Sequence, residues 1–218
     1  MKALIISASK FETQYLSSKF NIFTLDNLSE IPNTHNVLIT GAGVLDTIFA
    51  ISEALNKIQA DIIINMGIAG TLNSDLKIGT NCIVKSDFIL DSGIYRDKNF
   101  KHISEFEFSI NKTKIYNASA EIKNLVPECL EVNAQTVNLF YNLDLNNRPE
   151  AYKTTNADIE TMEGAAVFYV ANQKSIPVCS IRTISNYIGE KYNATNYEAA
   201  VKQNCLIIEK LIEKLNAN

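Results

Sequence analysis

Glu163 stands in Ile159-Glu160-Thr161-Met162-Glu163-Gly164-Ala165-Ala166, just ahead of an apolar helix running through Val167, Phe168 and Val170. Taken alone, it is a favourable charge in a first helical turn, worth about 0.3–1 kcal/mol. Gly164, Ala165 and Ala166 change that balance, because small residues let the helix approach a sheet closely and carry the carboxylate inside. A buried carboxylate needs donors, and a pair of sugar hydroxyls supplies them. Four more segments have the composition of ligand-facing turns: Ser7 to Glu12, Gly41-Ala42-Gly43, Gly67-Ile68-Ala69-Gly70 and Ser185-Asn186. Each follows a predicted strand, and ligands of open α/β sheets sit beyond the carboxyl ends of strands.

The elements that must hold these residues follow from periodicity. Short β-rich apolar runs at Ala3 to Ser7, Asn36 to Thr40, Asp61 to Met66, Asn81 to Lys85 and Val178 to Ile184 read as largely buried strands. Between them Asp46 to Ile58 keeps Ile48, Ile51, Ala54, Leu55 and Ile58 on one helical face. Thr195 and Glu198 predict a capping box for a last helix with Val201, Cys205, Ile208, Ile212 and Leu215 on its buried side. Glu105 to Ile110 alternates polar and apolar, which predicts an antiparallel or edge strand. The expected fold is therefore a three-layer α/β/α sandwich with a central mixed β-sheet, formed by residues 1–218 as one domain. Asn142 to Asp158 has no periodicity and reads as a loop beside the site.

Composition narrows the partners. The 218 residues carry a net charge of -4, so no basic surface is available for a nucleic acid. Cys82, Cys129, Cys179 and Cys205 are widely spaced and only His35 and His102 accompany them, so neither a metal site nor a catalytic cysteine is expected. No apolar stretch is long enough for a signal core or a membrane span, and the expectation is a soluble, cytoplasmic protein. Thr40 to Asp46 approximates a dinucleotide-binding turn, but Asp46 stands where the third glycine belongs. What survives is a tight glycine turn and the free amides of the following helix.

In order and over almost its full length, the chain resembles the nucleoside phosphorylase and nucleosidase superfamily. The motifs that carry the resemblance are Thr40-Gly41-Ala42-Gly43, the block Asn65 to Gly70, Met162-Glu163-Gly164-Ala165-Ala166 and Ile181-Arg182-Thr183-Ile184-Ser185-Asn186. Ile184-Ser185-Asn186-Tyr187 and Gln135-Thr136-Val137-Asn138 look most like the futalosine hydrolases of bacterial menaquinone biosynthesis. The resemblance implies hydrolysis of a purine nucleoside by a homodimer that needs no cofactor. It implies that Glu12 activates water, that Glu163 holds the ribose hydroxyls with Met162 packed under the sugar, and that Ser185 and Asn186 meet the purine. It also brings Gly41, Gly43, Ala69, Gly70 and the backbone at Val137 to the substrate, with Phe88 and Phe140 as looser lining residues.

One departure bears on the substrate. The methylthioadenosine/S-adenosylhomocysteine nucleosidases of this superfamily have an aspartate where this chain has Asn186, and that aspartate protonates N7 of adenine. An asparagine has no titrating proton, but its amide offers a donor and an acceptor, which suits the N7 and 6-oxo edge of hypoxanthine. Futalosine, releasing hypoxanthine and dehypoxanthine futalosine, is thus favoured over adenine nucleosides. Three alternatives stay open: a methylthioadenosine/S-adenosylhomocysteine nucleosidase, a phosphate-dependent phosphorylase and a non-catalytic nucleoside-binding protein. Phosphorolysis usually calls for arginines, and only Arg96, Arg148 and Arg182 are present, although Lys10 and backbone amides could substitute.

Overall fold

The computed structural model describes residues 1–27, 35–97, 99–140, 147–149, 152 and 155–217 and, for residues 120 and 121, the backbone alone. In chain order the strands are β1 (Ala3–Ser7), β2 (Asn21–Phe23), β3 (Asn36–Ile39), β4 (Ile62–Thr71), β5 (Asn81–Asp87), β6 (Gly93–Arg96), β7 (Asn99–His102), β8 (Tyr116–Asn117), β9 (Leu130–Thr136), β10 (Ile159–Thr161) and β11 (Val178–Tyr187). The α-helices are α1 (Lys10–Thr13), α2 (Val44–Leu55), α3 (Gly164–Gln173) and α4 (Ala194–Ala217).

Side chains of successive strand residues point to opposite faces, and both faces of this sheet are covered. From β4, Ile62, Ile64 and Met66 enter a core shared with Val201, Cys205, Ile208 and Leu211 of α4. Ile63 and Ala69 enter a second core with Ala50, Ile51 and Ala54 of α2 and Val167 and Phe168 of α3. Helices on both sides of one sheet give the expected three layers. The sheet is mixed: β1, β3, β4 and β11 run parallel, whereas β5 meets β11 antiparallel and β9 and β10 follow in parallel with β5.

The sheet is not simply open. Strand β10 also pairs antiparallel with β4, matching Glu160 with Gly70, and so closes a ring through β4, β11, β5, β9 and β10. That closure changes two expected boundaries. β4 continues to Thr71 and β11 to Tyr187, so the Asn65 to Gly70 block and Ser185-Asn186 lie within strands and not after them. The extension is held because Gly70 is flanked by Glu160 on one side and Asn186 on the other.

Three local expectations are corrected. Asn193 caps α4, its Oδ1 accepting from the amides of Thr195 and Asn196 at 3.1 and 3.3 Å, so Thr195 is already helical and Glu198 instead receives the Tyr15 hydroxyl. Glu105 to Ile110 is not a strand: the His102 ring accepts from the Ser104 amide and Glu105 reaches back to the His102 amide, which winds Ile103–Glu105 into a capped 3-10 turn. Phe106 and Phe108 then stack on each other, with ring centroids 5.1 Å apart. Helix α2 ends three residues short of Ile58, although Ile48, Leu55 and Ile58 do pack against the core. Within the expected loop Asn142 to Asp158, residues 142–146, 150, 151, 153 and 154 lie outside the described residues.

Candidate active site

The first carboxylate comes from the turn after β1. Ser9 is extended and accepts from the Glu12 amide at 3.3 Å, starting α1 and folding Glu12 back over the strand end. Glu12 is buried; its Oε2 accepts from Ser7 Oγ at 3.2 Å and the Ala8 amide at 3.1 Å, and its Oε1 from the Ile68 amide at 3.1 Å. Gly67 makes this approach possible, since a Cβ there would run into Glu12 Oε1 and Arg182 Nη1. Burial pushes the Glu12 carboxyl above its ordinary range; the Arg182 guanidinium opposes that and the charge of Glu163 adds to it.

The second carboxylate, Glu163, occupies the N-cap position of α3 yet makes no capping bond to its own helix. Its Oε1 accepts from the Gly43 amide at 2.9 Å, joining the start of α3 to the turn after β3. That turn needs its glycines: Gly41 and Gly43 have φ of 88° and 94°, where a side chain is strained. Gly164, Ala165 and Ala166 are all buried against the sheet, as their size predicts, and a Cβ at Gly164 would collide with Asp87.

Both carboxylates face one cavity of about 330 Å³. Of the residues predicted for the site, Glu12, Ala69, Gly70, Val137, Phe140, Met162, Glu163, Ser185 and Asn186 line it. Gly41 and Gly43 do not; Ala42 between them does, and Gly43 acts by its bond to Glu163. Phe88 is not among the residues that line this cavity: it packs with Met162 against Leu90, Val137 and Tyr152 and lines a second cavity of about 600 Å³ with Tyr95 and Phe100. A backbone bond just past the end of β5 sets this, because the Thr136 amide donates to the Phe88 carbonyl and fixes which way its side chain turns. Among the described residues, no acidic side chain lines the larger cavity, whereas Glu12, Glu160 and Glu163 line the smaller one.

On the same cavity, Ser185 Oγ lies 2.8 Å from Asn186 Oδ1 and 3.2 Å from the Ala69 carbonyl. Asn186 Nδ2 gives one hydrogen to the Tyr187 carbonyl at 3.1 Å, which leaves its second for another acceptor. Among the described residues no group of three His, Cys, Asp or Glu side chains could hold a metal ion. The four cysteines are unpaired and buried, and burial lifts the Cys82 and Cys179 thiols to about 12, which makes poor nucleophiles of them.

Residues 4–213 match the family model described as the phosphorylase superfamily. The chain belongs to that superfamily. It is 26% identical to a 5'-methylthioadenosine/S-adenosylhomocysteine nucleosidase of Buchnera aphidicola subsp. Baizongia pistaciae, over 84% of this chain and 77% of the relative. It is 22% identical to a DeoD-type purine nucleoside phosphorylase of Buchnera aphidicola subsp. Acyrthosiphon pisum, over 86% of this chain and 83% of that one. The futalosine hydrolase of Helicobacter pylori has the same fold, with a TM-score of 0.77 at 17% identity and coverage of 98% of this chain and 97% of the other.

On this superfamily scaffold several residues join the site that sequence reasoning passed over. Arg182 is almost fully buried beside Glu12, with Nε donating to Ser180 Oγ at 3.3 Å and Nη2 lacking a partner. The signal was available, since an arginine inside an apolar strand needs a buried anion. Glu160 also borders the cavity, where Arg148 grips it at 2.8 and 3.3 Å and Gln135 at 2.9 Å. Nothing in the asparagine-rich surroundings of Arg148 marks it as buried.

Proposed function

We propose that this protein hydrolyses the N-glycosidic bond of a purine nucleoside, with futalosine as the substrate and hypoxanthine as the released base. The observation that carries the reading is the convergence of two buried carboxylates, Glu12 and Glu163, on one cavity, with the Arg182 guanidinium buried beside Glu12. Loss of the base leaves a ribosyl group with oxocarbenium character, so the site must stabilise a cation, deliver water and hydrogen-bond the departing purine. Glu12, lifted in pKa by burial, is the base that orients and deprotonates water. Glu163, fixed through Oε1 by Gly43, clasps the ribose hydroxyls with Oε2, while Met162 packs under the sugar. Asn186 turns its remaining amide hydrogen toward the purine, and Ser185 fixes the amide's orientation.

Water is favoured over phosphate because no arginine is among the described residues that line the cavity. Arg182 lies beside Glu12, Arg148 is paired with Glu160, and Arg96 sits on the exposed β6–β7 hairpin. Buried, unpaired cysteines suit a reducing, cytoplasmic setting. Exposed Leu45 and Phe49, one turn apart on α2 next to the Gly41–Gly43 turn, support a homodimer formed beside the site. A second reading, cleavage of methylthioadenosine or S-adenosylhomocysteine, is favoured by the Buchnera nucleosidase relative. Chromatography of the free base from futalosine, inosine, methylthioadenosine and S-adenosylhomocysteine separates the two. Hypoxanthine from futalosine supports the first; adenine from the thioadenosines, with futalosine untouched, supports the second and removes the assigned role of Asn186.

A further inference from the structure

Helix α3 opens on two threonines from neighbouring strands. The Gly164 amide donates to Thr161 Oγ1 at 3.2 Å and the Ala165 amide to Thr136 Oγ1 at 2.8 Å. The Thr136 hydroxyl in turn donates to Asp87 Oδ1 at 3.0 Å. A hydroxyl has one proton, so in the 3.2 Å contact between Thr136 and Thr161 the donor is Thr161. Asp87 thereby fixes the direction of both hydroxyl bonds in the relay, from Thr161 to Thr136 and from Thr136 to its own oxygen.

Its other oxygen, Oδ2, is buried without a hydrogen bond and lies against the α-carbon of Gly164, where no side chain would fit. Asp87 is completely buried, faced by Arg182 from β11 and Glu163 from the start of α3. The first amides of a helix need acceptors, which short side chains such as serine, threonine and aspartate ordinarily supply. Here the threonines hold those amides, and Glu163 reaches Gly43 instead.

We infer that Asp87 is a positioning residue: as terminal acceptor of this relay it keeps Thr136 and Thr161 on the first amides of α3, and so frees Glu163 to face the ligand. The ligand part rests on the nucleosidase reading above; the positioning part does not. Protonation of Asp87 falls on Oδ2 and leaves Oδ1 accepting, so the relay needs an acceptor and not a charge.

The test is amide hydrogen exchange, read by NMR on the intact protein, at Gly43 and Ala165, with Ile5 of β1 as a control. Asp87→Ala is expected to speed exchange at Gly43 and Ala165 roughly tenfold relative to Ile5, the size of one lost buried hydrogen bond. Asp87→Asn, which keeps an acceptor of the same shape, is expected to stay within about twofold of wild type. Unchanged exchange at Gly43 in Asp87→Ala overturns the inference, and equal acceleration in Asp87→Asn overturns the acceptor role. Should Asp87→Ala not fold, Thr136→Val breaks the same relay one bond earlier, with the same two outcomes at Gly43. Turnover on the same proteins adds a second readout: Asp87→Ala lowers kcat in the wild-type background and adds no further loss to Glu163→Ala. Additive losses contradict coupling through Glu163, whereas a wild-type protein inactive on every nucleoside sinks the functional reading and leaves the exchange result standing.

Discussion

Glu163 accepts a hydrogen bond at 2.9 Å from the amide of Gly43, a residue 120 positions earlier in the chain. The bond ties the start of α3 to the turn after β3 and leaves one carboxylate oxygen for the cavity.

Gly43 and Gly67 therefore fail differently when a methyl group is added. At Gly43 nothing lies within 4 Å of a new Cβ, so the cost is the backbone at φ 94° and ψ 166°, a region kept almost entirely by glycine, on the order of 1–3 kcal/mol. At Gly67 the methyl group collides with Glu12 and Arg182. Thermal denaturation and nucleoside titration should show Gly43→Ala modestly destabilised and still binding, and a free-base assay should show Gly67→Ala without measurable turnover.

Asp87 makes stability depend on pH. Burial, first, pushes its carboxyl from an ordinary 3.8 to about 7, against the Thr136 hydrogen bond and Arg182. A raised folded-state pKa gives a contribution fully present below the unfolded value and lost as pH rises to about 7. Urea midpoints measured from pH 4 to 8 should fall less steeply for Asp87→Asn than for wild type. Parallel slopes would show that Asp87 does not titrate in this window.

The buried Arg148 and Glu160 pair should be costly to break and cheap to remove. Arg148→Met leaves Glu160 charged and uncompensated, a loss of about 3–5 kcal/mol, whereas Arg148→Met with Glu160→Leu recovers most of it. Denaturant unfolding of wild type and the two variants measures both, and an Arg148→Met variant as stable as wild type contradicts a charged pair.

Leu45 and Phe49 are 81% and 60% exposed on one side of α2. With Leu45→Glu and Phe49→Glu together, sedimentation should report a monomer where the wild type sediments as a dimer. A wild-type monomer at micromolar concentration ends the dimer reading.

Much of this was legible before the structure because the strands are buried on both faces and their apolar runs stand out. β1 spans the predicted residues, and the small residues after Glu163 do bring α3 onto the sheet. What the sequence hid depends on closure of the ring. Glu160 and Asn186 meet at Gly70 only because β10 returns to β4, and Phe88 lines the second cavity because the Thr136 amide holds its carbonyl just past the end of β5. Asp87 reads as one more acidic residue until Gly164 is seen to rest on it. The Glu105 to Ile110 alternation misled because a His102 cap competes locally with strand pairing.

Release of free base by wild-type protein and Glu12→Gln, each with and without phosphate, tests the central claim most directly. Wild type should release base at the same rate in both buffers, with kcat/KM rising with pH as the raised Glu12 carboxyl ionises. Glu12→Gln should be slower by about 10²–10⁴-fold, the usual weight of a general base. Release that requires phosphate, or near-normal turnover by Glu12→Gln, would contradict hydrolysis by a Glu12-activated water.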